Sequence, residues 1–337
     1  MNHPHTCVLP LARSAVPANY KILCMAGGGM GQFAAVPLNL LGGDSTGGAD
    51  FIVTGAWSKK AAQEATKYGA ARVAATSERA GGRFDSLPAQ PYAIAADAAY
   101  VHYCANETVH GLEFPFVPDA PAHVPLVADF SSSFMSAPID VARFGLIYAG
   151  AQKNVGPAGV TIVIVRDDLL AKAPQRACPS VLDYAQTAAN QSMLNTPPCF
   201  SIYVVGLVAK WLRAQGGLAA IAAANRAKAA LLYDYIDSAE CAGFYACPVA
   251  ERAHRSLMNV VFRIASPSGN GGGGGSGFDE ALEKRFVQEA TARRLVNLAG
   301  HRSVGGLRAS IYNAMPAAGV EALVAFMRDF RARTLGA

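Results

Sequence analysis

Charge is what this sequence has least of. Asp, Glu, Lys and Arg make up 16% of its 337 residues, the formal balance is +5, and no Lys/Arg block of the kind that follows a phosphate backbone occurs. Nucleic acid is therefore not expected as a partner. No stretch approaches the roughly 18 to 20 uninterrupted apolar residues needed to cross a bilayer, so no membrane association is expected either. The seven cysteines (Cys7, Cys24, Cys104, Cys178, Cys199, Cys241, Cys247) are odd in number, scattered and without CxxC spacing. That pattern argues against a disulfide framework or a zinc site and fits reduced thiols, and no metal is expected. The opening MNHPHTCVLPLARSAVPANY holds one basic residue, Arg13, and no basic-then-apolar design. A cytoplasmic location is the expectation, with an acid-poor organellar leader as the alternative.

What is abundant is apolar surface. A hydrophobic fraction of 52% in a chain this long is enough for two lobes of ordinary size. From Tyr20 to about Arg166, short apolar runs (YKILCMA, FIVTGAW, VPLVADF, FGLIYAG, GVTIVIVR) alternate with helix-like segments such as GQFAAVPLNLLG and SKKAAQEATKYG. This is α/β wiring. Runs such as TIVIV have no polar face and suit strands covered by helices on both sides, so a mostly parallel central sheet is predicted, with ligands at the carboxyl ends of its strands. After Thr196-Pro197-Pro198, which should interrupt any helix, a long helical stretch split at Gly216-Gly217 links the lobes. A strand (LMNVVFRI), a helix (ALEKRFVQEATARRL), strand-like pieces around LRASIYNA and a closing helix follow. In that last helix Leu323, Phe326, Met327 and Phe330 fall on one face, a stripe expected to be core. The predicted organisation is a leader over 1–15, a large domain over 16–212 and a smaller α+β C-terminal domain over 213–337. A glycine-rich loop over 266–277 is expected to carry no chemistry.

The richest stretch for chemistry is VADFSSSFMSAPIDVARFGLIYAGAQKNVGPAGVTIVIVRDDLL. Lys153 follows an apolar strand among Ala and Gly, a setting for a lysine beside a cavity that forms an imine with an aldehyde cofactor; a solvated loop lysine fits the spacing equally well. Asp129 ends the preceding strand. It suits a carboxylate that keeps a pyridine nitrogen protonated, but the residues alone favour a strand-end cap ahead of the turn Ser131-Ser132-Ser133. Gly27-Gly28-Gly29-Met30-Gly31, between a strand and a helix, fits either a phosphate cradle or an empty tight turn. Trp57 fits stacking on an aromatic cofactor or core packing. His301, Arg302 and Arg308 lie within eight residues, matching an anion site or surface cations.

Longer motifs resolve these alternatives. GQFAAVPLNL, YCANETVHG, IYAGAQKNVGPAGVTIVIVR, NTPPCFSIY and GHRSVGGLRASIYNA, spread from about Val16 to Met327, resemble the phosphoserine aminotransferase family, class-V pyridoxal-phosphate enzymes of fold type I. The resemblance implies pyridoxal 5'-phosphate joined to Lys153, with Asp129 at its ring nitrogen and Trp57 over its face. It implies further cofactor contacts from Thr108, Gln152, Gly29 and Met30. Asn195 and Thr196 would reach the cofactor phosphate of the neighbouring subunit in a homodimer. Arg308 would hold a substrate α-carboxylate, and His301 and Arg302 a phosphate or side-chain carboxylate. The implied reaction moves the amino group of L-glutamate to 3-phosphohydroxypyruvate in two half-reactions, as part of serine biosynthesis.

Two departures from the family pattern stand out. Bacterial members usually carry Arg in the glycine loop where this chain has Met30; animal-type members also lack that Arg, and the remaining motifs look closer to theirs. Family members begin with several dozen further residues containing a GPA turn and an SHR motif, whereas little precedes AVPANYK here, so a shortened chain is expected, with a non-catalytic role as the alternative. A nucleotide-dependent oxidoreductase using the glycine turn is disfavoured, because no acidic ribose-binding residue follows the second strand at the right distance and Trp57 stands near that place instead.

Overall fold

The computed structural model describes residues 16–42, 47–241, 243–266 and 277–336; the predicted leader over 1–15 and most of the glycine-rich loop lie outside these. A seven-stranded sheet forms the larger part. Its strands are β1 (Tyr20–Gly27), β2 (Ala49–Val53), β3 (Ala71–Thr76), β4 (Tyr100–Cys104), β7 (Leu126–Asp129), β8 (Leu146–Gly150) and β9 (Gly159–Arg166), in spatial order β1-β9-β8-β7-β4-β2-β3. The short pair β5 (Asn106–Glu107) and β6 (Leu112–Glu113) stands apart from it.

The unbroken apolar runs are explained by burial on both faces. Along β1, Ile22 and Cys24 join one core cluster and Leu23 and Met25 the other; along β9, Ile162 and Ile164 divide from Val163 and Val165 in the same way. The period of two is present, but both phases are apolar. One face is covered by Val205, Ala209 and Leu212 of α5 (Cys199–Ala214). The other is covered by Phe33, Val36 and Leu40 of α1 (Gly29–Leu40) and by Ala61 and Ala65 of α2 (Ala56–Ala65). Between α2 and α5 lie the short helices α3 (Asp167–Leu170) and α4 (Tyr184–Ala189).

The sheet is mostly parallel, as predicted, with one exception. β9, the strand containing TIVIV, runs antiparallel to both β8 and β1. An apolar run records that both faces are covered and says nothing of direction. The reversal follows from the short connection Ala151–Ala158, which returns the chain beside β8 without a crossover helix.

The predicted break at Gly216-Gly217 separates α5 from α6 (Gly217–Ile236); both glycines have positive φ, +94° and +79°, which favours residues without a Cβ. A three-stranded antiparallel sheet, β10 (Tyr245–Ala246), β11 (Asn259–Ile264) and β12 (Leu307–Ser310), packs with α6, α7 (Glu280–Ala292) and α8 (Ala317–Leu335). Leu323, Phe326, Met327 and Phe330 are buried there against Phe286, Tyr245 and Phe262, so the closing stripe is core. Among the described residues no single helix is long and apolar enough to cross a membrane. The pair α5 and α6 together would be, but they are bent by 81°.

Two histidines are held neutral by the fold. Burial pushes His102 down to about 3, and burial with the nearby charge of His301 pushes His110 down to about 4. Their contribution to stability is complete above the ordinary value near 6.5 and is lost as the pH falls toward the folded values, because the unfolded chain takes up the protons first. The slope is about 1.4 kcal/mol per pH unit for each ring. Neither His110 ring nitrogen has a hydrogen-bond partner among the described residues, so His110→Phe breaks no bond seen there. Urea midpoints at pH 7 and pH 5 should draw closer together in that variant; an unchanged gap would refute the assignment.

Candidate active site

Every strand of the large sheet except β9 points the same way, so the carboxyl ends of β1, β2, β4, β7 and β8 share one edge. A cavity of about 330 Å3 opens at that edge, lined among others by Gly29, Met30, Trp57, Asp129, Gln152 and Lys153. Six residues singled out in the sequence, from four separate segments, are thus brought to one place.

Asp129 is the last residue of β7, paired with Cys104 of β4 on one side and Tyr148 of β8 on the other. Its carboxylate is buried and accepts a hydrogen bond from the Ser131 backbone N–H at 2.8 Å. The turn expected from the serines is therefore real, and it leaves the carboxylate facing the cavity. Burial pushes the Asp129 carboxyl above its ordinary value; the Ser131 hydrogen bonds, the charge of Lys153 and the Tyr148 hydroxyl pull the other way.

Lys153 lies in the return between β8 and β9, and both flanks of that return are tied down. The Gly150 N–H donates to Ser131 Oγ at 3.0 Å. On the other side, Asn154 Nδ2 donates to the Ser132 carbonyl at 3.3 Å and Asn154 Oδ1 accepts from the Asn313 N–H at 3.0 Å. Lys153 Nζ stands 5.7 Å from the centroid of the Trp57 ring, and Lys60 Nζ 4.9 Å from it. The Trp57 indole N–H donates to Thr108 Oγ1 at 2.9 Å. A Cβ on Gly29 would meet Ser131 Oγ at 3.2 Å and Asp129 Oδ2 at 3.9 Å, so a side chain there would intrude on the cavity floor. Gly29 also opens α1, and the first backbone N–H groups of a helix have no acceptor within it and suit an anion.

The cationic residues come from the smaller sheet and its loops. Arg308 of β12 donates from Nη1 to the Thr108 carbonyl at 3.1 Å, and its buried Nε has no partner among the described residues, leaving a donor for a ligand. His301 Nδ1 meets Ser303 Oγ at 2.7 Å. Burial, then the charges of Arg308, Lys60 and Arg302, lower its pKa from the ordinary value. Thr108, His301, Arg302 and Arg308 do not themselves line the cavity. Asn195 and Thr196 are exposed and stand apart from this cavity.

Asn106, Ser131 and Ser132 also line the cavity, although the sequence pattern marks the two serines only as a turn and Asn106 not at all. Asn106 Nδ2 donates to Ser132 Oγ at 2.8 Å and to Asn259 Oδ1 at 3.1 Å; Asn259 Nδ2 in turn donates to Ser310 Oγ and to the Tyr312 hydroxyl. The available signal was position: Asn106 stands two residues before Thr108 in the same short motif.

Residues 14–323 match the family model of the class-V aminotransferases. The chain belongs to the class-V aminotransferase family. It is 52% identical over 316 residues to the phosphoserine aminotransferase of Drosophila melanogaster, covering 94% of this chain and 82% of that protein. The phosphoserine aminotransferase of Bacillus circulans subsp. alkalophilus superposes with a TM-score of 0.86 at 43% identity, over 99% of this chain and 89% of that one. A phosphoserine aminotransferase from Trichomonas vaginalis, solved with pyridoxal phosphate bound, gives a TM-score of 0.86 at 38% identity over 96% and 87%. Within the family the chain is therefore one of the phosphoserine aminotransferases.

The Asn106–Asn259 link joins the cavity wall to the smaller sheet and is buried on both sides. Asn259→Leu should destabilise the protein by about 2 to 4 kcal/mol in denaturant unfolding, because it leaves several buried polar partners unsatisfied. A loss below 1 kcal/mol would show that the link carries little.

Proposed function

We propose that this chain transfers the amino group of L-glutamate to 3-phosphohydroxypyruvate, giving O-phospho-L-serine and 2-oxoglutarate, with pyridoxal 5'-phosphate held in the cavity at the sheet edge. The observation that carries the proposal is the meeting of Lys153, Asp129 and Trp57 around one cavity. The residues fit the group: a buried carboxylate, a primary amine and an indole line one cavity, and Gly29 leaves room that a Cβ would fill.

When bound, the cofactor supplies an electron-accepting ring that stabilises the charge left at a substrate Cα when its proton departs. Asp129 holds a negative charge where the ring nitrogen would sit, favouring its protonated form. Lys153 Nζ would hold the cofactor through its aldehyde and, as a free neutral amine, would carry the proton from the substrate Cα to the cofactor carbon C4′. Trp57 would cover one face of the ring and keep water from it. Thr108 and Gln152 would orient the ring, and the Gly29 and Met30 N–H groups would receive its phosphate. Arg308 fixes the substrate α-carboxylate through its free donors, and His301 and Arg302 receive the distal phosphate or carboxylate.

Asn195 and Thr196 are assigned to the cofactor phosphate of a neighbouring subunit. Two observations support that reading. They lie outside their own chain's cavity, and the adjoining helix α5 exposes Phe200 and Tyr203 beside them. The purified protein should therefore sediment as a dimer, and a monomer at micromolar concentration would remove the shared-site assignment. The non-catalytic alternative is disfavoured because the cavity residues are intact and assembled.

Lys153→Ala should abolish the visible absorbance change on adding glutamate to protein supplied with cofactor. A borohydride-fixed attachment persisting in that variant would sink the lysine assignment. Asp129→Asn should keep bound cofactor while slowing turnover by about 100-fold or more, within the range that removing a single electrostatic stabiliser costs. Near-normal turnover would remove the proposed role of the carboxylate.

A further inference from the structure

Glu107 does not line the cavity, yet its carboxylate is fully buried and controls what does. Oε2 accepts from the Trp57 backbone N–H at 3.0 Å. Oε1 accepts from the Ser58 backbone N–H at 2.7 Å and from Ser58 Oγ at 2.6 Å. Trp57 and Ser58 are the second and third residues of α2, so these are N–H groups that the helix itself cannot satisfy. A helix start is ordinarily capped by a local Ser, Thr, Asp or Asn. Here the preceding residue is Gly55, and the cap arrives from 49 and 50 residues away.

Space explains the glycine. Its backbone is extended and open to any residue, but a Cβ there would lie 2.4 Å from Glu107 Cδ and 2.5 Å from Oε2. A local capping side chain and the long-range carboxylate exclude one another. Burying a carboxylate is costly, and its three donors and the positive end of α2 offset that cost. The next residue adds a second hold, since Thr108 Oγ1 accepts the Trp57 indole N–H at 2.9 Å. Adjacent residues thus fix Trp57 at its backbone and at its ring.

We propose that Glu107 is a positioning residue of the active site. Its carboxylate sets the first turn of α2 so that the Trp57 ring lies over the cofactor cavity and against Lys153. The catalytic consequence rests on the cofactor reading above, whereas the geometric one does not, and the test separates them.

Trp57 and Trp211 are the two tryptophans of the sequence, so a Trp211→Phe background makes Trp57 the sole emitter. Glu107→Gln turns one acceptor oxygen into a donor that faces N–H groups. In cofactor-free protein this change should shift Trp57 emission to the red and raise acrylamide quenching at least twofold, with unchanged far-ultraviolet circular dichroism. In protein loaded with pyridoxal phosphate it should weaken the induced visible circular dichroism and slow the glutamate half-reaction tenfold or more. In a Trp57→Ala background the same substitution should slow it by less than a further twofold.

Unchanged emission and quenching in Glu107→Gln would overturn the proposal, as would equal slowing with and without the Trp57 ring. Should Glu107→Gln fail to fold, Ser58→Ala removes one of the three bonds to Glu107, together with those Ser58 Oγ accepts from the Thr54 and Gly55 N–H groups, and is read by the same emission measurement, with the same two outcomes. A wild-type chain that takes up no cofactor would refute the cofactor reading and leave the emission result standing.

Discussion

A sheet covered on both faces can meet a ligand only at an edge where its strands end, and this constraint organises the molecule. The two large core clusters cover both faces of the central strands, so most side chains within those strands are committed to packing. Chemistry is left to the residues where strands stop. Because all strands but one share a direction, those stops fall together: Gly27 on β1, Cys104 on β4, Asp129 on β7 and Gly150 on β8. The proposed cofactor site is a consequence of that alignment.

The exception, β9, serves the same end. Reversal beside β8 keeps the intervening loop short, and a short loop can be fixed at both ends by few bonds. Ser131 takes its start and Ser132 with Asn313 its far side, so the residues after Asp129 also place Lys153. The amine and the carboxylate therefore share one scaffold, and their relative position does not depend on either side chain. The motif Asn106-Glu107-Thr108 plays the matching part on the opposite wall. It reaches the smaller sheet through Asn106 and Arg308, and it reaches α2 through Glu107 and Thr108.

Much of this was legible before any coordinates. The strand and helix order, the break at Gly216-Gly217 and the apolar stripe of the last helix follow from local patterns, and local patterns survive in a linear text. Lys153 and Asp129 were visible as candidates but undecided on spacing alone, since a solvated loop lysine and a strand-end cap leave the same signature. Asn106 and Ser132 were passed over because a buried amide and a turn serine have no distinctive spacing. The direction of β9 was missed because an apolar run reports coverage and not orientation.

The sequence by itself determined that an α/β chain with long phosphoserine-aminotransferase motifs carries an amine at 153 and a carboxylate at 129, and it did so through residues close together in the chain. Tertiary structure alone decided which side chains hold those groups in place. Glu107 shows why: its partners lie 49 and 50 residues away, on a helix whose own cap position is a glycine. A hydrogen bond across that distance has no periodicity to read, and only the folded geometry brings its two ends together.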